Sequence, residues 1–180
     1  MCESATDADA RYAERREVNL DNIEALVALP DAVIRNSVPV AEVAGEPIQQ
    51  AFIGSCANGT LDDLAEVARV VKGRRIAPGV RFLVTPATQA VFNAALRRGY
   101  IATLVDAGAV VAPATCGACF GGHMGVLGPG ETCITASTRN FKGRMGDPSA
   151  RIYMASPATV AASAIAGRIA SAAEITGGAA

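Results

Sequence analysis

Gln50-Ala51-Phe52-Ile53-Gly54-Ser55-Cys56-Ala57-Asn58-Gly59-Thr60-Leu61 is the stretch that decides the fold of this chain. Gln50 to Ile53 is a short apolar run of strand length, and Gly54-Ser55-Cys56 turns it sharply. Apolar residues then recur at 61, 64, 67, 68 and 71, a helical period that runs from Leu61 to Val71. Thr60 is a candidate N-cap, Asp62 and Asp63 stand in the first turn, and Lys72-Gly73 marks the end. A strand that passes through a tight turn into a helix is a building unit of a parallel sheet.

The alternation continues outward from there. Val80 to Val84 is the next expected strand, and Thr85-Pro86 opens an expected helix that runs to Arg98 and stops at Gly99. Tyr100 to Ala107 reads as a short helix ended by Gly108, and Ala109 to Val111 as a buried strand. Thr132 to Thr135 and Ile152 to Ala155 are two more strands, and Ser156-Pro157 begins a last helix to about Ile169. The pattern predicts the α/β class: a three-layer α/β/α domain with a mostly parallel sheet covered on both faces. Residues 1–45 are punctuated by Pro30, Pro39 and Gly45 and read as an extended connecting arm. Residues 46–170 form the domain, and 171–180 a flexible tail.

Composition narrows the function. A chain of 180 residues suits one well-buried domain. Its net charge of −1 and 4% aromatic content give no basic stripe or base-stacking platform, so neither nucleic acid nor a membrane surface is an expected partner. The most apolar stretch, Met154 to Ala173, is broken by Pro157, Ser163 and Arg168 and does not read as a membrane span. Five cysteines without a secretory pattern point to metal or redox chemistry in the cytosol rather than to a disulfide framework.

Three groups of residues carry that chemistry. Cys56 follows a strand and precedes a helix start, where backbone N–H groups favour negative charge. Cys116-Gly117-Ala118-Cys119 places two thiols in a loop of small residues, which lets the backbone wrap a bulky inorganic core. Three thiolates suit a [4Fe–4S] cluster with one iron left open to substrate. A zinc site that uses His123 as fourth ligand, or a redox pair, are the other readings of a C-x-x-C. The third group is Ser137-Thr138-Arg139-Asn140-Phe141-Lys142-Gly143-Arg144-Met145-Gly146. Its two arginines can fork onto carboxylates. In a parallel sheet, loops that follow strands meet at the carboxyl edge, so one shared site is expected.

Phe52-Ile53-Gly54-Ser55-Cys56-Ala57-Asn58-Gly59, Cys116-Gly117-Ala118-Cys119-Phe120-Gly121-Gly122-His123-Met124-Gly125 and the arginine segment together resemble the aconitase superfamily. The closest likeness is to the large subunits of the 3-isopropylmalate dehydratase branch, over roughly residues 15 to 170. This resemblance implies that Cys56, Cys116 and Cys119 ligate a [4Fe–4S] cluster and that Arg139 and Arg144 face substrate. It implies a hydro-lyase that dehydrates a 2-hydroxy acid and rehydrates the neighbouring carbon. It further implies a small swivel-domain subunit and upstream large-subunit domains as partners, because the chain resembles only the last part of those large subunits. The family pattern departs here at Ala57, Thr138 and Phe120, where Thr, Asn and an aliphatic residue are usual. Cys133 is expected to pack in the interior, and His123 to play at most a supporting part.

Overall fold

The computed structural model describes residues 6–19, 23–31 and 36–178. The chain begins with strands β1 (Leu26–Ala28) and β2 (Ser37–Pro39), the turn-length helix α1 (Val40–Val43) and strand β3 (Gln50–Gly54). Helices α2 (Ser55–Asn58) and α3 (Leu61–Val71), strand β4 (Arg81–Thr85), and helices α4 (Gln89–Arg97) and α5 (Tyr100–Ala107) follow. Strands β5 (Val110–Val111), β6 (Thr132–Thr135) and β7 (Arg151–Ala155) then lead to helices α6 (Pro157–Ala166) and α7 (Ala172–Thr176).

The seven strands form one sheet in the order β2-β1-β7-β6-β3-β4-β5. The run β7-β6-β3-β4-β5 is parallel throughout, and β1 and β2 add an antiparallel pair at the β7 edge. Strand β3 lies between β6 and β4, with Gly54 in register with Thr85 and Phe52 in register with Thr135. Both of its faces are covered, which is why Gln50 to Ile53 shows no polar alternation.

Alternate residues supply two apolar layers. Ala51, Ile53, Phe82, Val84, Ile134 and Tyr153 pack with Leu64, Val67 and Val71 of α3, Leu104 of α5 and Val160 of α6. Phe52, Leu83, Cys133 and Ile152 point the other way and meet Ala118, Cys119, Leu127 and Met145. The mostly parallel α/β fold is therefore as expected. The long helices cover one face; the second layer, among the described residues, is built from the connections after β5 and β6, including a 3₁₀ turn at Gly117–Phe120. The segments that carry the thiols and arginines are themselves the cover of that face, so packing the core also places them.

Local chemistry explains the helix limits. Thr60 caps α3 in a reciprocal box with Asp63, an arrangement that contributes about 1 kcal/mol. Helix α4 starts at Gln89 rather than at Thr85-Pro86, because Thr85 belongs to β4 and the Thr88 hydroxyl accepts from Val91 N–H at 3.1 Å. The intervening Ala87 N–H donates to the Gly59 carbonyl, tying this link to the Cys56 loop. Helix α6 stops at Ala166, where Gly167 takes a left-handed conformation. Ser171 caps α7 within the segment expected as a tail. The expected arm contributes β1 and β2, strands of three residues each and too short to show a period. Of that arm and tail, residues 1–5, 20–22, 32–35 and 179–180 lie outside the described residues. No helix among the described residues is long and apolar enough to cross a membrane.

Candidate functional site

Cys56 stands two residues past the end of β3, at the carboxyl edge of the sheet. Strand β3 ends at Gly54, where a Cβ would drive into the Thr85 main chain, so only glycine fits. Ser55 then adopts φ +67, a left-handed conformation that few non-glycine residues take. Its N–H donates to Thr85 Oγ1 at 3.2 Å. Cys56 itself is exposed, and Asn58 Nδ2 donates to the Ala136 carbonyl just past β6. The loop is thus held from both neighbouring strands.

The C-x-x-C segment folds as the 3₁₀ turn. Cys119 N–H donates to the Cys116 carbonyl at 3.1 Å, and Gly117 N–H to Thr115 Oγ1 at 2.7 Å. Cys116 is exposed, whereas Cys119 is buried. A Cβ on Gly117 would sit 2.7 Å from Thr85 Cγ2 and 3.1 Å from Phe52 Cε2. Thr85 therefore touches both thiol-bearing segments: its hydroxyl holds Ser55 and its methyl backs Gly117. That contact fixes how the Cys56 loop stands relative to the Cys116–Cys119 turn.

The arginine segment closes on the same turn. Arg144 Nε donates to the Cys119 carbonyl at 2.7 Å, Nη2 lies 3.7 Å from Cys119 Sγ, and the guanidinium stands 5.5 Å from the centre of the Phe141 ring. Leu127 N–H to Met145 O at 2.8 Å and Asp147 N–H to Leu127 O at 2.9 Å clamp this segment to the chain that follows the C-x-x-C. Asn140 is buried and donates to the carbonyls of Leu29 and Ile152, which anchors the loop at β1 and β7. Arg139 is exposed, with Nη1 3.4 Å from Thr138 Oγ1. It lines an 80 Å³ cleft with Thr138, Phe141 and Met154. Larger grooves of 280 and 400 Å³ lie between α3 and α5 and contain none of the thiols.

The structure thus joins Cys119 to Arg144 directly and Cys56 to the Cys116–Cys119 turn through Thr85, while Arg139 stays at the rim. Among the described residues no group of three or more His, Cys, Asp or Glu side chains is gathered to hold a single metal ion. His123 is exposed. Cys133 is fully buried, and burial pushes its thiol up to about 12, against the weaker pull of Gln50 Nε2 at 3.9 Å. It packs in the core, as expected of it. Thr85, Asn58, Ser55 and Ser137 were not singled out by sequence reading. The signal for Thr85 is its register with Gly54, which exists only once β3 and β4 are paired.

The residues present fit an anionic, thiolate-held group. Three thiols stand on two segments that share one wedge, and a guanidinium lies beside the buried one. Two buried hydroxyls at this edge, Ser55 Oγ and Ser137 Oγ, have no hydrogen-bond partner among the described residues.

Residues 32–167 match the profile of the aconitase family (aconitate hydratase). The chain is 61% identical over 163 residues to a 3-isopropylmalate dehydratase large subunit of Mycolicibacterium smegmatis, covering 91% of this chain and 39% of that protein. It is 50% identical over 169 residues to the protein of the same name in Picrophilus torridus, covering 94% and 40%. A homoaconitase large subunit of Thermus thermophilus is 49% identical over 161 residues, covering 89% and 38%. The chain spans about two fifths of the length of these relatives. With the match extending over most of its length, from β2 through α6, the chain belongs to the aconitase family.

Proposed function

We propose that this chain is the iron–sulfur part of a hydro-lyase that isomerises a 2-hydroxy di- or tricarboxylic acid by dehydration and rehydration, in the manner of 3-isopropylmalate dehydratase in leucine biosynthesis. The observation that carries this reading is the convergence of the Cys56 loop, the Cys116–Cys119 turn and Arg144 around Thr85 and Cys119. Cys56, Cys116 and Cys119 would hold a [4Fe–4S] cluster. When bound, the cluster supplies an open iron, a Lewis acid for a leaving hydroxyl.

The chain's own residues bind and orient. Arg139, exposed at the rim, is free to take a substrate carboxylate through a bidentate fork. Arg144 holds the ligand turn with one edge of its guanidinium and presents its remaining edge to a second carboxylate. Holding two carboxylates fixes which carbon loses hydroxyl and which is rehydrated. Proton transfer belongs to other parts of the enzyme, namely the rest of the large subunit and a small swivel-domain subunit, in the cytosol. The homoaconitase relative supports a second reading, in which the substrate is a longer tricarboxylic acid.

The test uses the chain assembled with the rest of a large subunit and a small subunit. 2-Isopropylmalate and homocitrate are offered separately, and alkenoic acid formation is followed. Turnover of 2-isopropylmalate, lost in Arg139→Ala with cluster content unchanged, is the expected result. Turnover of homocitrate alone moves the assignment to the second reading. A loaded assembly that turns over neither removes both.

A further inference from the structure

The helical face of the domain carries a trough that the thiol site does not use. Helices α3 and α5 lie side by side there, and several of the residues between them are small: Ala65, Ala68 and Gly73 from one segment, Thr103 and Ala107 from the other. Short side chains leave the seam unfilled, as two grooves of about 280 and 400 Å³. Lys72 and Thr103 line both, so the grooves adjoin. Long cationic side chains surround the hollow. Arg69, Lys72 and Arg98 stand at the first groove, and Lys72, Arg74 and Arg75 at the second. Asp106 is the one carboxylate among the described lining residues.

This gathering of charge exceeds what the fold requires. The whole chain has a net charge of −1, yet the trough sets five cations against one carboxylate. Helices α3 and α4 both end here, at Lys72 and Arg98. A helix C-terminus carries about half a negative charge, so the two ends together answer roughly one cation. Arg74 Nη1 donates to the Val70 carbonyl at 2.9 Å, which holds the guanidinium at the second groove and uses one of its N–H donors. The helices pack on the Ala51 and Ile53 side of the sheet, whereas Ala118 and Cys119 lie on the other side. A body that closes over the thiols therefore does not cover the trough. We propose that the trough is a second ligand site, for a small anion with two or more linked phosphate groups. A phosphate group carries about −1.5 to −2 charge at pH 7, so two of them match the surplus of four positive charges. Guanidinium forks and an ammonium group take phosphate oxygens from several sides. Two adjoining hollows with Lys72 between them suit linked groups, and the concave shape favours a small molecule over a flat acidic protein surface.

Calorimetric titration of the whole chain with tripolyphosphate tests the assignment, beside citrate and an oligoglutamate peptide at the same ionic strength. Tripolyphosphate is expected to bind at one site per chain and more tightly than citrate does. Lys72→Ala and Arg75→Ala remove exposed side chains, so both variants should melt close to the unaltered chain. Each should weaken tripolyphosphate binding about tenfold. Arg139→Ala, in the arginine loop, should leave that binding unchanged. Binding lost in Arg139→Ala and kept in Lys72→Ala puts the anion in the arginine loop and overturns the proposal. Citrate that binds as tightly as tripolyphosphate overturns the phosphate assignment, and a glutamate peptide that binds more tightly makes the trough a protein-docking surface instead. An unaltered chain that does not bind tripolyphosphate removes the site altogether.

Discussion

The guanidinium of Arg144 is bound to the ligand turn itself: Nε donates to the Cys119 carbonyl at 2.7 Å, and Nη2 reaches within 3.7 Å of Cys119 Sγ. An arginine expected only to meet substrate is thus also a brace for the segment that carries two thiols. A charge-assisted bond of this kind contributes about 1.5–3 kcal/mol when partly buried.

Arg144→Met is expected to lower both cluster retention and turnover, since it removes the brace and the charge together. Arg144→Lys keeps the charge but not the fork, so turnover falls more than cluster content. Iron and sulfide analysis beside steady-state rates in the assembled enzyme checks this. Full cluster content in Arg144→Met contradicts the brace.

Gly117→Ala tests the packing of the turn on Thr85. The added Cβ stands 2.7 Å from Thr85 Cγ2 at a φ of +53. Overpacking and strain together should destabilise the empty chain by about 2–4 kcal/mol, roughly 5–15 °C in melting temperature. Gly130→Ala is the control: φ is +71, nothing lies within 4 Å of the added Cβ, and only the strain of about 1 kcal/mol remains. Equal effects at the two positions would show that Thr85 is not the wedge.

Thiol labelling reads the placement of the cysteines directly. In the reduced empty chain at pH 8, Cys56 and Cys116 are expected to react before Cys119 and Cys133, the other cysteines among the described residues, because both are exposed. Cys133 is fully buried with its thiol pushed up to about 12, so it should stay unmodified until the chain unfolds. Peptide mapping by mass spectrometry gives the order. Early labelling of Cys133 contradicts the described core.

At the opposite edge, Arg81 grips Glu131 bidentately at 2.8 and 2.7 Å and holds its carboxyl below the usual carboxylate range. The folded chain therefore gives up this proton at lower pH than the unfolded chain does. The resulting stability is fully present above the ordinary glutamate value of about 4.3, and is lost as pH falls through the lowered folded value. Because Arg81 is half exposed, the pair contributes only about 0.5–1 kcal/mol. Glu131→Gln should melt about 1–3 °C lower at pH 7, and the difference should shrink towards pH 3. A gap that widens on acidification reverses the sign and contradicts the pairing.

Much of this was legible in the residues. The helical period at Leu61, Leu64, Val67, Ala68 and Val71, capped by Thr60, gives α3 its limits before any tertiary contact is considered. Tyr100 to Ala107 lies between two glycines and was equally plain. The start of α4 was not, because Thr85-Pro86 carries a valid helix-opening signal that β3–β4 pairing overrides. Strands β1 and β2 have three residues each; β1 gains its stability from β7, a partner more than a hundred residues away, and β2 from β1. The thiols and arginines were visible as residue types in motifs. Their joints were not: Thr85 between the two loops, Asn58 on Ala136 and Arg144 on Cys119 are contacts across the sheet that exist only in the folded chain.

The decisive question is whether Cys56 completes a three-thiolate set with Cys116 and Cys119. Anaerobic reconstitution of the chain with iron and sulfide, followed by visible absorbance and metal analysis, should give a cubane-type chromophore that Cys56→Ser loses. Stoichiometric zinc with no sulfide-dependent chromophore, or a chromophore unchanged in Cys56→Ser, would contradict it.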